Sequence, residues 1–175
     1  MATYKIDPTH SEITFKVKHL MITNVTGSFQ QFDASMEASA ADFSDASIQF
    51  TAEVNSISTN NTQRDEHLKS DDFFAAATFP TLQFKSTALT PKSADQYALK
   101  GDLTIKGITK PVELAVEFGG LMTDFYGQNK AGFEISGKIS RSEFGLTWSA
   151  VTEAGGVVVS DDIKLNMAVQ MVKQA

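Results

Sequence analysis

The sequence predicts an all-β, antiparallel fold of eight strands, with one short helical segment near residues 61–76. Three observations carry that prediction. Apolar residues recur at every second position over most of the chain. Turn residues separate these runs at hairpin-like spacing. Only one stretch offers helix caps. Runs of about eight to eleven residues, apolar on one side only, must close into a barrel or pack on a second sheet to hide their edges.

The runs follow in order. Ile13, Phe15, Val17 and His19 alternate with Thr14, Lys16, Lys18 and Leu20. Between Val25 and Ala38 the parity breaks: Val25, Gly27 and Phe29 are odd, whereas Phe32, Ala34 and Met36 are even. One extra residue near Gln30 or Gln31 would flip the face, as a β-bulge does, and would bend the strand. Ile48, Phe50, Ala52 and Val54 form the third run. Leu82, Phe84 and Ser86 form the fourth, and Tyr97, Leu99, Gly101, Leu103 and Ile105 the fifth. Val112 to Phe118, Ala131 to Ile139 and Ile163 to Met171 complete the eight. Turns are marked by Ser44-Asp45, Thr90-Pro91-Lys92-Ser93, Lys106-Gly107-Ile108-Thr109 and Gly127-Gln128-Asn129. The helical signal begins at Asn61 with polar caps and an acidic first turn, restarts as a short turn at Ser70-Asp71-Asp72-Phe73-Phe74, and stops at Pro80. No repeat, low-complexity tract or linker interrupts the 175 residues, so a single domain over 1–175 is expected.

Composition narrows the function classes. A net charge of −6 and a pI near 5 leave no electrostatic footprint for nucleic acid, and repulsion from an anionic membrane surface is expected. The absence of cysteine removes disulfides, thiolate nucleophiles and Cys-based zinc sites. The opening MATYKIDPTHS lacks the pattern of a signal peptide and no apolar run is long enough to span a membrane; a cytoplasmic protein is the expectation. Thirteen Phe against one Trp and three Tyr suit either a dense core or a greasy cavity, and composition does not separate them.

Catalytic chemistry finds little support. Gly132 to Ile139 fits GxxxxGK, but it has Ile where Ser or Thr must hold a metal and lies inside a period-two strand. GxSxG and GxGxxG are absent. His10, His19 and His67 lack the local spacing of metal ligands, so no metal site is assigned. His19 continues the inward parity of Phe15 and Val17, which puts it inside or at a rim. Asp71-Asp72 reads as a helix-turn cap, and Asp161-Asp162 as a turn or bulge before a strand.

Blocks along almost the whole chain resemble the YceI-like family of polyisoprenoid-binding proteins. They run from Tyr4-Lys5-Ile6-Asp7-Pro8-Thr9-His10-Ser11, through Phe15-x-Val17-x-His19 and Gly27-Ser28-Phe29-x-x-Phe32, to Arg64-Asp65-x-His67-Leu68-Lys69-Ser70-x-Asp72-Phe73-Phe74. Phe79-Pro80-Thr81-Leu82-x-Phe84, Gly101 to Thr109 and Ile139-Ser140-Arg141-Ser142-Glu143-Phe144-Gly145 complete the set. The resemblance implies an eight-stranded antiparallel lipocalin-like barrel. It also implies a bound isoprenoid chain, of polyprenyl or quinone-tail type, as ligand; it brings no catalytic residues and no cofactor beyond that lipid.

Physics is compatible with such a lumen without demanding it, because an eight-stranded barrel is just wide enough to be filled by side chains or to hold one small ligand. A ten-residue strand is ~33 Å long, or ~25 Å along the axis of a tilted barrel. Phe15, Val17, Phe29, Phe50, Phe84, Leu99, Leu103, Phe118, Phe133 and Ile135 lie on the apolar parity of their runs. With His19 at the rim they form the predicted ligand-binding set. Two function classes stay open: a carrier or sink for a long apolar lipid, and a lipid-modifying enzyme using His19, Arg141 or Glu143 at a lumen mouth. Arg64, Asp65, His67, Arg141 and Glu143 are expected mainly to clamp loops to the barrel ends. The lipid's headgroup does not follow from the sequence, and a homodimer is left open.

Overall fold

The computed structural model describes residues 1–20, 22–147 and 159–175. Its strands are β1 (Ala2–Ile6), β2 (Glu12–His19), β3 (Thr23–Phe29), β4 (Phe32–Ala38), β5 (Ser47–Glu53), β6 (Ile57–Ser58), β7 (Thr81–Pro91), β8 (Gln96–Ile105), β9 (Ile108–Thr123), β10 (Asn129–Ser140) and β11 (Val159–Lys173); helix α1 (Thr62–Lys69) stands between β6 and β7. The short strands combine end to end. β1 and β2 both lie along β11, β4 and β3 lie along β1 and β2 respectively, and β5 and β6 along β4 and β3. Three interrupted staves and five continuous ones thus make a ring of eight, each antiparallel to its sequence neighbour and closed by the pairing of β1 and β2 with β11. Closure removes the free edges that eight one-sided strands would otherwise expose.

The interruptions have local causes. Between β1 and β2, Asp7 caps a single 3-10 turn over Pro8–His10: its Oδ1 accepts from the Thr9 amide at 3.0 Å. Its other oxygen lies 2.8 Å from His10 Nδ1. The Ser11 hydroxyl accepts from the Gln170 amide, stitching the turn onto β11. Between β3 and β4 the predicted face switch falls on residues 30–31. The adjoining stave breaks at the same level, through a 3-10 turn at Val54–Ser56. Backbone bonds from the Gln30 amide to the Ser56 carbonyl and from the Glu53 amide to the Gln31 carbonyl hold the two bends side by side. A bent strand cannot keep its ladder beside a straight one, so the two bends occur together.

Helix α1 is shorter than the predicted segment. The Asn61 side chain accepts from the Arg64 amide at the start. After Lys69 the backbone turns extended at Ser70, and Ala75 takes a left-handed conformation (φ 49°). That course swings Phe73, Ala75 and Ala76 into the interior, which a continued polar helix could not do.

The two barrel ends differ. One carries α1, the His19 end of β2, the two-residue Lys106–Gly107 turn and the Ser140 end of β10. At the other, residues 39–46 fold inward and bury Phe43 edge-on against Tyr4, Phe118 and Phe133, with ring centroids 5.8, 5.5 and 5.7 Å away. Asp45 accepts from the Ser39 and Ala40 amides, and the Tyr97 hydroxyl donates to the Asp42 carbonyl at 2.7 Å. These bonds hold Phe43 in a left-handed conformation (φ 60°), a strained state that persists only where its surroundings fix it. This end is plugged.

Candidate functional site: the barrel lumen

Inside the ring is a cavity of about 210 Å³ to which every stave contributes. Its lining offers no polar surface. The volume lies below the usual range for pockets that enclose drug-sized ligands, and the lining runs from Met36 and Met171 near the plug to Val17 and Val159 at the helix end. Such a space is long and narrow.

Exposure along its wall shows where it opens. Leu82, Phe84, Leu99, Leu103 and Ile105 on β7 and β8 are buried, whereas Phe15, Val17, Val25, Ile163 and Leu165 on β2, β3 and β11 are half-buried. Beside them β3 pairs with β6 only at Ser28–Phe29. Among the described residues, the Thr23–Gly27 edge has no strand on that side. The wall is therefore least covered, among the described residues, at the helix end, over β2, β3 and β11, and the mouth is assigned there. Leu68, Phe73 and Phe74 of the helical segment form its opposite lip, with Phe74 edge-on to Phe29 at 6.2 Å.

Glycine shapes the bore. Phe15 faces Gly27 across β2 and β3, and a Cβ on Gly27 would lie 2.3 Å from the tip of the Phe15 ring. Phe84 lies over Gly101 in the same way, at 2.4 Å, and Leu114 over Gly137, at 2.3 Å. Each missing side chain is a seat that lets a large apolar group lie along the wall instead of across the lumen.

The polar motif residues act on the barrel's own chain. Arg64 donates from Nε to the Thr59 hydroxyl and from Nη2 to the Thr59 carbonyl; Asp65 accepts from the Thr59 amide and hydroxyl. Together they tie α1 to the strand before it. His67 Nε2 lies 2.8 Å from an Asp72 carboxylate oxygen. Arg141 is buried at the lumen wall, yet its donors reach the carbonyls of Ser160, Leu146 and Val159 at 2.9, 2.7 and 3.1 Å. Burial pulls its pKa down from the usual arginine value. Asp161 accepts from the Ser140 hydroxyl and the Ser142 amide, and these bonds, the first above all, hold its carboxyl below the ordinary range. Asp161 and Asp162 sit where β11 slips register against β2. Glu143 is exposed.

Of the predicted binding set, Phe15, Val17, Phe29, Phe50, Phe84, Leu99, Leu103, Phe133 and Ile135 line the cavity. Two stand elsewhere. The β9–β10 register shifts at Gly132/Phe133, which sets Phe118 opposite Phe133 and against the Phe43 plug, so it fills the closed end. His19, the last residue of β2, is half-buried two residues beyond Val17 and does not line the cavity. Sequence reasoning missed Leu68, Phe73 and Phe74, which reach the lumen from the helical segment, where a period of two gives no signal. It also left out Leu165, Met167 and Val169, whose run was legible in β11. A larger hollow, about 960 Å³, lies on the outer face of β8 to β11 and β2, but carboxylates line it (Glu12, Glu113, Glu117 and Glu134) and it suits no apolar ligand.

Comparison with known proteins adds the following. Residues 4–171 match the YceI-like domain family. A UPF0312 protein of Staphylococcus aureus is 37% identical over 171 residues, covering 97% of each chain. The YCEI protein of Campylobacter jejuni is 34% identical, with 90% of each chain covered and a TM-score of 0.77. A domain from Saccharophagus degradans described as polyisoprenoid-binding shares the fold at a TM-score of 0.72, with 15% identity over 98% of each chain.

Proposed function

Since the chain belongs to the YceI-like family, we propose that it binds a long apolar lipid of polyisoprenoid or isoprenoid-quinone type within the barrel and carries or sequesters it without chemical change. The observation that carries this reading is the apolar inner surface of a lumen that is plugged at one end and, among the described residues, open at the other. Such a wall rewards removal of hydrocarbon from water and offers no donor or acceptor to a polar molecule. A linear chain fits the long, thin space; a compact one would have to displace side chains. The polyisoprenoid-binding description of the Saccharophagus degradans domain supports the ligand class. Against catalysis stands the use of the polar groups near the mouth: Arg141 is engaged with carbonyls and Glu143 is exposed. No resident cofactor is assigned beyond the lipid.

Organic extraction of the purified protein followed by mass spectrometry tests the proposal. An unmodified isoprenoid recovered near one per protein is expected. Protein that carries no lipid and takes none up from detergent-dispersed polyprenol refutes it, and turnover of added lipid favours an enzyme instead.

A further inference from the structure

The outer face around the mouth carries a charge arrangement at odds with the chain's overall acidity. Lys138 of β10 stands directly across from Lys164 of β11, and Lys164 directly across from Lys16 of β2. Lys18 follows on the same face of β2, and all four are exposed. Among the described residues, Lys138 has an ion pair with Asp162 at 3.5 Å, both ends well exposed. Like charges directly opposite in a sheet destabilise it, so three lysines abreast, in a chain of net charge −6, make a local cationic stripe that an external anion would relieve.

Just beyond the lysines is the β2–β3 turn. It presents Ile22 at 80% exposure and Leu20 at 41%, the latter in a left-handed backbone conformation (φ 54°) that holds it out of the barrel. Apolar tips beside a cationic face match the surface of a lipid bilayer, where apolar side chains enter the interface and lysines meet anionic headgroups. The same staves turn Phe15, Val17, Ile163 and Leu165 inward at the mouth. Another apolar turn exists, with Phe125 and Tyr126 fully exposed. It lies at the plugged end, and its Lys130 is paired with Asp124 at 3.2 Å.

We propose that Leu20 and Ile22, with the Lys16, Lys18, Lys138 and Lys164 face, dock the protein on an anionic bilayer and set the lumen mouth against it for lipid transfer. The transfer role rests on the lumen being a lipid site; the docking does not. The test is co-sedimentation of the full chain with vesicles of phosphatidylcholine alone and of phosphatidylcholine mixed with phosphatidylglycerol. Binding to the mixed vesicles, weak on the neutral ones and abolished by high salt, is expected. Ile22→Asp, and Lys16→Glu combined with Lys164→Glu, should each lower partitioning about tenfold or more. Phe125→Asp should leave it unchanged. Equal binding to both vesicle types, indifference to the lysine changes, or a loss in Phe125→Asp equal to that in Ile22→Asp would overturn the docking. Extracted lipid is measured on the same preparations: wild-type protein that docks but never holds lipid refutes the carrier reading and leaves the docking standing.

Discussion

Gly27→Ala separates a lined lumen from a filled core. The added methyl would sit 2.3 Å from Phe15 Cζ and 2.8 Å from Cε1 and Cε2. Carbon atoms in ordinary contact stand about 3.5–4.0 Å apart, so the ring must retreat by more than about 1 Å. The strand lies behind it, and the only open direction is into the cavity. In a packed core such a shift costs about 1–3 kcal/mol. Here the ring is half-buried against empty space, and relief of the glycine entropy penalty returns about 0.5–1 kcal/mol. The net change should stay within about 1 kcal/mol, or about 2–4 °C in Tm for a chain of this size. Lipid capacity should nevertheless fall, because the ring now crosses a narrow bore. The assay is the melting temperature alongside extracted lipid per mole. A fall in Tm of about 8 °C or more would mean that Phe15 is packed in a filled core. Unchanged stability with unchanged lipid would mean that the Gly27 seat does not shape the bore.

Other expectations follow from the same geometry. Phe43→Ala removes the plug from a site in edge contact with three rings and should cost about 3–5 kcal/mol, read as a large fall in Tm. Phe50→Asp, on the half-buried lumen wall, should stay folded and lose lipid, whereas Phe118→Asp at the plugged end should unfold the protein; circular dichroism and extraction distinguish the two. Arg141→Ala strips three carbonyls of their donor and should cost several kcal/mol; unchanged stability with lost lipid would make Arg141 a headgroup ligand. The His10 and then Thr9 hydrogen bonds hold Asp7 at about 2, below the ordinary 3.8, so its folded-state pKa is depressed. Its contribution is present above about pH 4 and is lost as pH falls through about 2; acid titration of Asp7→Asn should show a weaker dependence in that window.

The staves were legible because each has one wet face and one dry face, and a period of two records that directly. Even the bend at residues 30–31 was written as a change of parity. β1 went unread because five residues, Ala2 to Ile6, alternate too briefly to stand out. In the site, Phe118 and Phe133 each lie on the apolar parity of their run and both pack against the Phe43 plug, yet only Phe133 also lines the bore. Phe43 is a loop residue with no periodic signature, and the register shift beside Phe133 is one that side-chain alternation does not encode. Leu68, Phe73 and Phe74 were hidden for a related reason: their contact with the lumen depends on how the chain leaves α1, which Ser70 and Ala75 decide through backbone conformations invisible to pattern.

The closing seam of the barrel sets an order on biosynthesis. The ring is sealed where β11 meets β1 and β2, with Tyr4 opposite Lys173 and Ile13 opposite Met167. The seam's two sides thus emerge from the ribosome on the order of ten to thirty seconds apart at ~5–20 residues per second. Throughout that interval the ring cannot close, so the apolar face of the earlier staves has no finished lumen to enclose it, and no local contact shortens the wait. Nascent chains halted before residue 159 should therefore bind a hydrophobic dye and a holdase chaperone strongly, and release both once β11 is made. The unclosed ring is also the stage at which a lipid could enter without passing the mouth, so a cell could fill the protein as it is born rather than afterwards.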